Sequence, residues 1–121
     1  MRPREAHRLY GAGRPTAAEI RGWIGWRVDD VNGSGLGRLE GLIPDQGDVP
    51  ADWLAVNEFR FGRGRRFFVP AGEAVGSGGR VWVPYERARV LGSTGRGAAH
   101  HTPQAERRLQ EYWAGTVRRA A

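Results

Sequence analysis

The chain contains no cysteine and no lysine. Without cysteine there is neither a disulfide framework nor a thiolate metal site. Without lysine, all 19 basic residues are arginine, and against 13 acidic residues they leave a formal net charge of +6. Histidine is scarce, and the adjacent pair His100-His101 lies in a Gly/Ala stretch. Two solvated imidazoles fall short of the roughly three or four fixed ligands that zinc needs. No uninterrupted apolar run approaches the ~20 residues that span a bilayer. The start, Met1 to Arg8, is charged with no apolar segment behind it, so it does not read as a secretory signal. The expectation is a soluble cytoplasmic protein.

Groupings that carry chemistry are missing too. Asp29 and Asp30 are adjacent, so on a strand or turn they diverge and read as solvated turn residues rather than a paired acid and base. Asp30-Val31-Asn32-Gly33 echoes a calcium loop but lacks the third ligand and the closing Glu, which leaves a hairpin turn. Gly33-Ser34-Gly35-Leu36-Gly37 has the glycines of a phosphate cradle without the helix that would hold the anion. Ser34, Ser77 and Ser93 sit in glycine-rich turns with no base placed to activate them. The sequence therefore predicts a protein that is not an enzyme, with no catalytic, cofactor-binding or metal-ligating residues and no small-molecule substrate.

What is present is a run of short apolar segments. At 121 residues and 40% apolar composition, the chain has room for one domain with one modest core, plus tails. Residues 1–15 are polar and broken by Pro3, Gly11, Gly13 and Pro15, and read as a flexible basic leader. Residues 16–92 hold the periodic segments, 93–101 form a small-residue linker, and 102–119 read as a C-terminal helix. Thr16-Ala17-Ala18-Glu19 is a capping-box pattern that predicts one helical turn leading into Ile20.

Five strands follow from β-branched and aromatic runs, at Trp23–Val28, Leu36–Ile43, Trp53–Phe59, Arg66–Val69 and Arg80–Val83. A single turn is expected at Tyr85–Ala88 and a short sixth strand at Arg89–Leu91. Asn32-Gly33 marks a hairpin between the first two strands. Strand spacings of about a dozen residues fit an antiparallel barrel rather than βαβ units. The predicted core is Trp26, Val28, Leu39, Ile43, Leu54, Val56, Val69, Val81 and Val83.

Residues 23–91 resemble the PRC-barrel family. The matching elements are Gly22…Val28-Asp29…Gly33…Leu36-Gly37-Arg38-Leu39, Asp45…Pro50…Trp53-Leu54-Ala55-Val56, Phe61-Gly62…Phe68-Val69-Pro70…Ala74 and Val81…Val83-Pro84-Tyr85…Val90. In order and spacing the chain is similar to stand-alone bacterial members. The family includes the cytoplasmic domain of the reaction-centre H subunit and the C-terminal domain of the ribosome maturation factor RimM. The resemblance implies a small antiparallel β-barrel here, with the C-terminal helix appended. It also implies an assembly, docking or adaptor role with no catalytic residues to carry over. One departure is the Arg63–Arg66 turn, which is more basic than the family's usual polar turn.

Two features point to partners. Arg60, Arg63, Arg65 and Arg66 crowd one hairpin, interleaved with Phe59 and Phe61, as residues that grip RNA phosphates and stack a base do; solvated arginines guarding a sheet edge look the same. Second, if Ile24, Leu54, Val56, Val81 and Val83 face inward, alternation turns Trp23, Trp53 and Trp82 outward. Three exposed indoles need a cover. The C-terminal helix supplies one, with Thr102 as N-cap, Pro103 in the first turn, and Leu109, Tyr112, Trp113 and Val117 along one stripe. That stripe predicts docking on the helix's own barrel, a homodimer, or a seat for a foreign protein. The function expected is a non-enzymatic adaptor that self-associates or docks a protein. Alternatives are an RNA- or ribosome-associated accessory protein, and peripheral docking at an anionic membrane surface.

Overall fold

The computed structural model describes residues 14–58, 64–93 and 102–120. Thr16 opens the first helix, α1 (Ala17–Arg21), from an extended backbone, and its hydroxyl accepts the Glu19 N–H at 3.2 Å. That satisfies one of the amides every helix start leaves over. Ala17 and Ile20 are buried beneath it.

The expected strand at Trp23 does not begin there. Trp23 and Ile24 continue the helical turning of α1, with Trp23 N–H donating to the Ile20 carbonyl. Gly25 then adopts φ +92°, a conformation outside the regular strand range that glycine adopts without strain. Strand β1 is therefore only Arg27–Asp29. The shifted boundary also undoes the inward assignment of Ile24, which is 46% exposed.

The remaining strands are β2 (Gly35–Ile43), β3 (Trp53–Glu58), β4 (Arg66–Pro70), β5 (Val75–Ser77) and β6 (Arg80–Trp82). They form one sheet in the order β4-β3-β2-β1-β6-β5. Strand β5 was not foreseen; it pairs with β6 across a two-residue turn at Gly78-Gly79, both with positive φ. The predicted antiparallel arrangement holds except between β1 and β6, which are parallel, so the sheet is mixed. Among the described residues no ladder joins β4 to β5, and the sheet is not a closed ring.

The segment predicted as a sixth strand is instead α2 (Arg87–Leu91). Its Arg-Ala-Arg-Val-Leu run is made of helix-compatible residues, and the buried Asp30 carboxylate accepts the Arg87 N–H at its start. Helix α2 follows β6 yet packs against β4 at the opposite edge. The C-terminal helix α3 spans Pro103–Ala120, and Thr102 Oγ1 accepts the Ala105 N–H at 3.1 Å, as the capping pattern predicted.

Cross-strand pairing assigns the two faces. Leu39, Leu42, Leu54, Val56, Phe67, Val69, Val28 and Val81 share the inner face and form the core with Ile20 and Val83. Of the predicted core, Trp26 and Ile43 are only partly buried. The outer face of β2–β4 carries Ile43, Trp53, Ala55, Phe68 and Pro70. Leu109 and Trp113 of α3 belong to the same buried cluster. Four consecutive residues of β3, Trp53 to Val56, are buried because both faces of that strand are covered.

Candidate functional site

The three indoles predicted to face outward are all buried, at 9% (Trp23), 6% (Trp53) and 5% (Trp82) exposed. Each has its own reason. Trp23 lies flat on β5, where a Cβ at Gly76 would fall 2.3 Å from the indole Cε2. Trp53 does point to the outer face, and its Nε1 donates to Glu106 Oε2 of α3 at 2.7 Å. Trp82 shares a small outer-face cluster with Val75, its cross-strand partner, and its Nε1 has no hydrogen-bond partner among the described residues.

Helix α3 is held on its own chain at three points. Besides the Trp53–Glu106 bond, Tyr112 OH donates to the Arg89 carbonyl of α2 at 2.5 Å, and Trp113 Nε1 donates to the Phe68 carbonyl at 3.0 Å. The ladder bonds Glu58 N to Arg65 O and Ala71 N to Asp52 O set the alternation of β3–β4, which turns the Phe68 carbonyl to the open edge of β4. Trp113 thus blunts a sheet edge as well as filling the core. Tyr85 packs against it with the ring planes tilted by 54° and the centroids 4.8 Å apart. Burial, reinforced by Glu73, pushes the Tyr85 hydroxyl up to about 12. Leu109 and Trp113, proposed above for partner contact, are consumed inside the chain, and Tyr112 is half-buried.

Asp29 and Asp30 were expected to be solvated, and they are 0% and 2% exposed. They do diverge. Asp30 Oδ1 accepts the Asn32 and Ser34 N–H groups, closing the predicted β1–β2 turn, while Oδ2 holds the start of α2. Glu58, also buried, takes a bidentate pair of hydrogen bonds from Arg65, and Arg87 Nη2 stands 3.9 Å away. A buried carboxylate needs such partners to stay ionised. Among the described residues no group of three or more His, Asp or Glu is arranged to hold a metal. Ser93 is buried and donates to the Val90 carbonyl, as a helix-end hydroxyl does.

The basic hairpin is divided by the alternation of its strand. Arg65 turns to the inner face, grips Glu58 and lies 5.8 Å from the Phe67 ring centroid. Arg66 turns to the outer face and pairs with Glu40. Arg60, Arg63, Phe59, Phe61 and the His100-His101 pair lie outside the described residues.

Arg66 instead belongs to a row that crosses the sheet. It is opposite Asn57, Asn57 is opposite Arg38, Arg38 is opposite Arg27, and Arg27 is opposite Arg80. Directly opposed residues share a face with side chains about 5 Å apart. Four guanidiniums and one amide therefore span β6, β1, β2, β3 and β4 on the outer face. Like charges in that relation repel, and two carboxylates answer them. Asp29 Oδ1 accepts from Arg27 Nε at 2.6 Å, and its Oδ2 lies 3.4 Å from Arg80 Nε, near enough for an ion pair but not aligned as a hydrogen bond. Glu40 answers Arg66, and Arg38 donates to the Gly25 carbonyl at 3.0 Å. Among the described residues, two carboxylates, Asp29 and Glu40, are paired with the guanidiniums of this row. The side chains of Arg27, Arg80 and Arg66 are 42%, 45% and 50% exposed.

The row escaped the sequence reading for a physical reason. Alternation does turn Arg27, Arg38 and Arg80 away from Val28, Leu39 and Val81, but they are far apart in sequence. Only the antiparallel register of β1 with β2 and the parallel register of β1 with β6 bring them level. Compared with models of known families, with curated proteins and with solved structures, the chain matches none.

Proposed function

We propose that this chain is a non-enzymatic interaction module of the PRC-barrel kind, docking a protein partner through the arginine row on the outer face of its sheet. The observation that carries the reading is the register that levels Arg80, Arg27, Arg38 and Arg66. Arginine forks bind carboxylates bidentately, so a row of them is predisposed to an anionic partner. The barrel reading draws support from two contacts that curl the sheet: α2 leaves β6 to pack on β4, and Trp23 lies on β5. The non-enzymatic reading draws on how the buried carboxylates are used. Asp30 organises a turn and a helix start, and Asp29 and Glu58 anchor arginines.

Self-association through the α3 stripe is the weaker form of the docking idea, since Leu109 and Trp113 are buried against this chain's own sheet. A cytoplasmic setting remains part of the proposal, and among the described residues no helix is long and apolar enough to cross a membrane. The second reading, an RNA- or ribosome-associated accessory protein, is favoured by the same row and by the +6 charge. Capture from extract of the native host at moderate salt, with and without nuclease, separates the two. A protein retained after nuclease and lost on Arg38→Glu supports docking of a protein. Retention abolished by nuclease supports the RNA reading.

A further inference from the structure

The spacing of the row narrows the kind of partner. Neighbouring strands stand about 4.8 Å apart, so Arg80, Arg27 and Arg38 occupy consecutive steps and Arg66 lies about four steps from Arg80. An α-helix rises about 1.5 Å per residue and returns to the same face every three or four residues. Carboxylates at i, i+3 or i+4, and i+7 on such a helix therefore recur about every 5 Å along one line, near the strand spacing. An extended peptide places alternate side chains about 6.6 Å apart, and falls out of step after two strands.

We infer that the Arg80–Arg27–Arg38–Asn57–Arg66 row is the seat for an acidic α-helix of a protein partner, laid across the strands with its carboxylates on the guanidiniums. The inference rests on the docking reading above. One further observation favours a protein helix. Ile24 adjoins the row, because its neighbour Gly25 supplies the carbonyl to which Arg38 donates. It offers an apolar contact to the side of an amphipathic helix.

The test uses the full chain and four labelled probes of equal charge, followed by fluorescence anisotropy at low salt. One is a helical peptide with glutamates at i, i+4, i+7 and i+11, and the second carries the same glutamates with mid-sequence prolines that abolish the helix. The third and fourth are single-stranded and duplex RNA. The helical peptide is expected to bind about tenfold more weakly to Arg38→Gln/Arg80→Gln, and no more than about twofold more weakly to Arg107→Gln/Arg108→Gln, which removes equal charge from α3. Arg38→Gln alone, which leaves both ion pairs of Asp29 in place, should weaken binding in the same direction. Equal affinity for the proline peptide, tighter RNA binding with the same arginine dependence, or equal losses in the two double variants would overturn the acidic-helix seat. If the peptides fail while a host protein is still retained in a row-dependent way, the helix inference falls and the docking reading stands. If that retention is absent too, both fall.

Discussion

One face of this sheet carries two surfaces made by the same alternation and put to opposite use. On β2–β4 the outer face is apolar at Ile43, Trp53, Ala55, Phe68 and Pro70, and α3 lies over it. Along the adjoining row the outward positions are polar, namely Arg80, Arg27, Arg38, Asn57 and Arg66. The two halves differ in where their polar groups find partners. In the covered half, indole and phenol donors find partners within the chain, and the contacts hold a helix in place. In the arginine half, Asp29 pairs with Arg27 and Arg80 and Glu40 pairs with Arg66, and the guanidiniums of those three arginines stay substantially exposed.

The comparison predicts that the two halves fail differently when altered. Trp113→Ala removes a 3% exposed indole, its bond to the Phe68 carbonyl and two ring contacts. It should cost about 3–5 kcal/mol, read as a fall in Tm of more than about 10 °C by thermal denaturation. A smaller fall would mean that α3 adds little to the covered half.

Next in size is Asp30→Ala, which takes the acceptor from three backbone N–H groups at once, those of Asn32, Ser34 and Arg87. Chemical denaturation should show a loss of about 2–3 kcal/mol. Asp30→Asn keeps one carbonyl oxygen and should lose less. An unchanged midpoint in Asp30→Ala would show that the β1–β2 turn and the start of α2 hold without it.

Alkaline pH sharpens the contrast. The Tyr85 hydroxyl ionises at about 12 in the folded chain against an ordinary 10.0, chiefly because it is buried against the α3 side. Between those values the unfolded chain has released the proton and the folded chain retains it. The stability this burial confers is therefore present below about pH 10 and lost as pH rises towards 12. Guanidiniums stay charged across that range, so the covered half should loosen while the row keeps its charge. Ultraviolet absorbance should show a late-ionising tyrosine in the wild type that is missing in Tyr85→Phe.

The smallest effect belongs to the row. Arg38→Gln should change stability by less than about 1 kcal/mol, because an exposed guanidinium contributes little to folding. A large loss would make Arg38 a structural residue and weaken its assignment to docking.

Much of the covered half was legible in the chain. Thr102, Pro103 and the Leu109–Tyr112–Trp113 stripe place a capped amphipathic helix where α3 is found, and Trp53 was expected to need such a cover. Asn32-Gly33 and Thr16–Glu19 likewise mark a turn and a helix start that are both present. Three things were not legible. Gly25 ends strand-like geometry before Arg27, which moves Trp23 from the sheet face into the core. The fate of Asp29 and Asp30 depends on Arg80 and Arg87, more than fifty residues away. The row exists only through cross-strand register, and periodicity along one strand carries no information about its neighbour's level.

The most direct test of the outward arginine face is a titration of the chain with an acidic helical peptide, followed through the arginine Nε–Hε resonances. Shifts should concentrate on Arg27, Arg38, Arg66 and Arg80, with Arg65 and Arg87, committed to Glu58, moving little. Shifts of equal size at Arg14, Arg21 and Arg107 would contradict it, showing that the peptide follows net charge and that the row is no docking face.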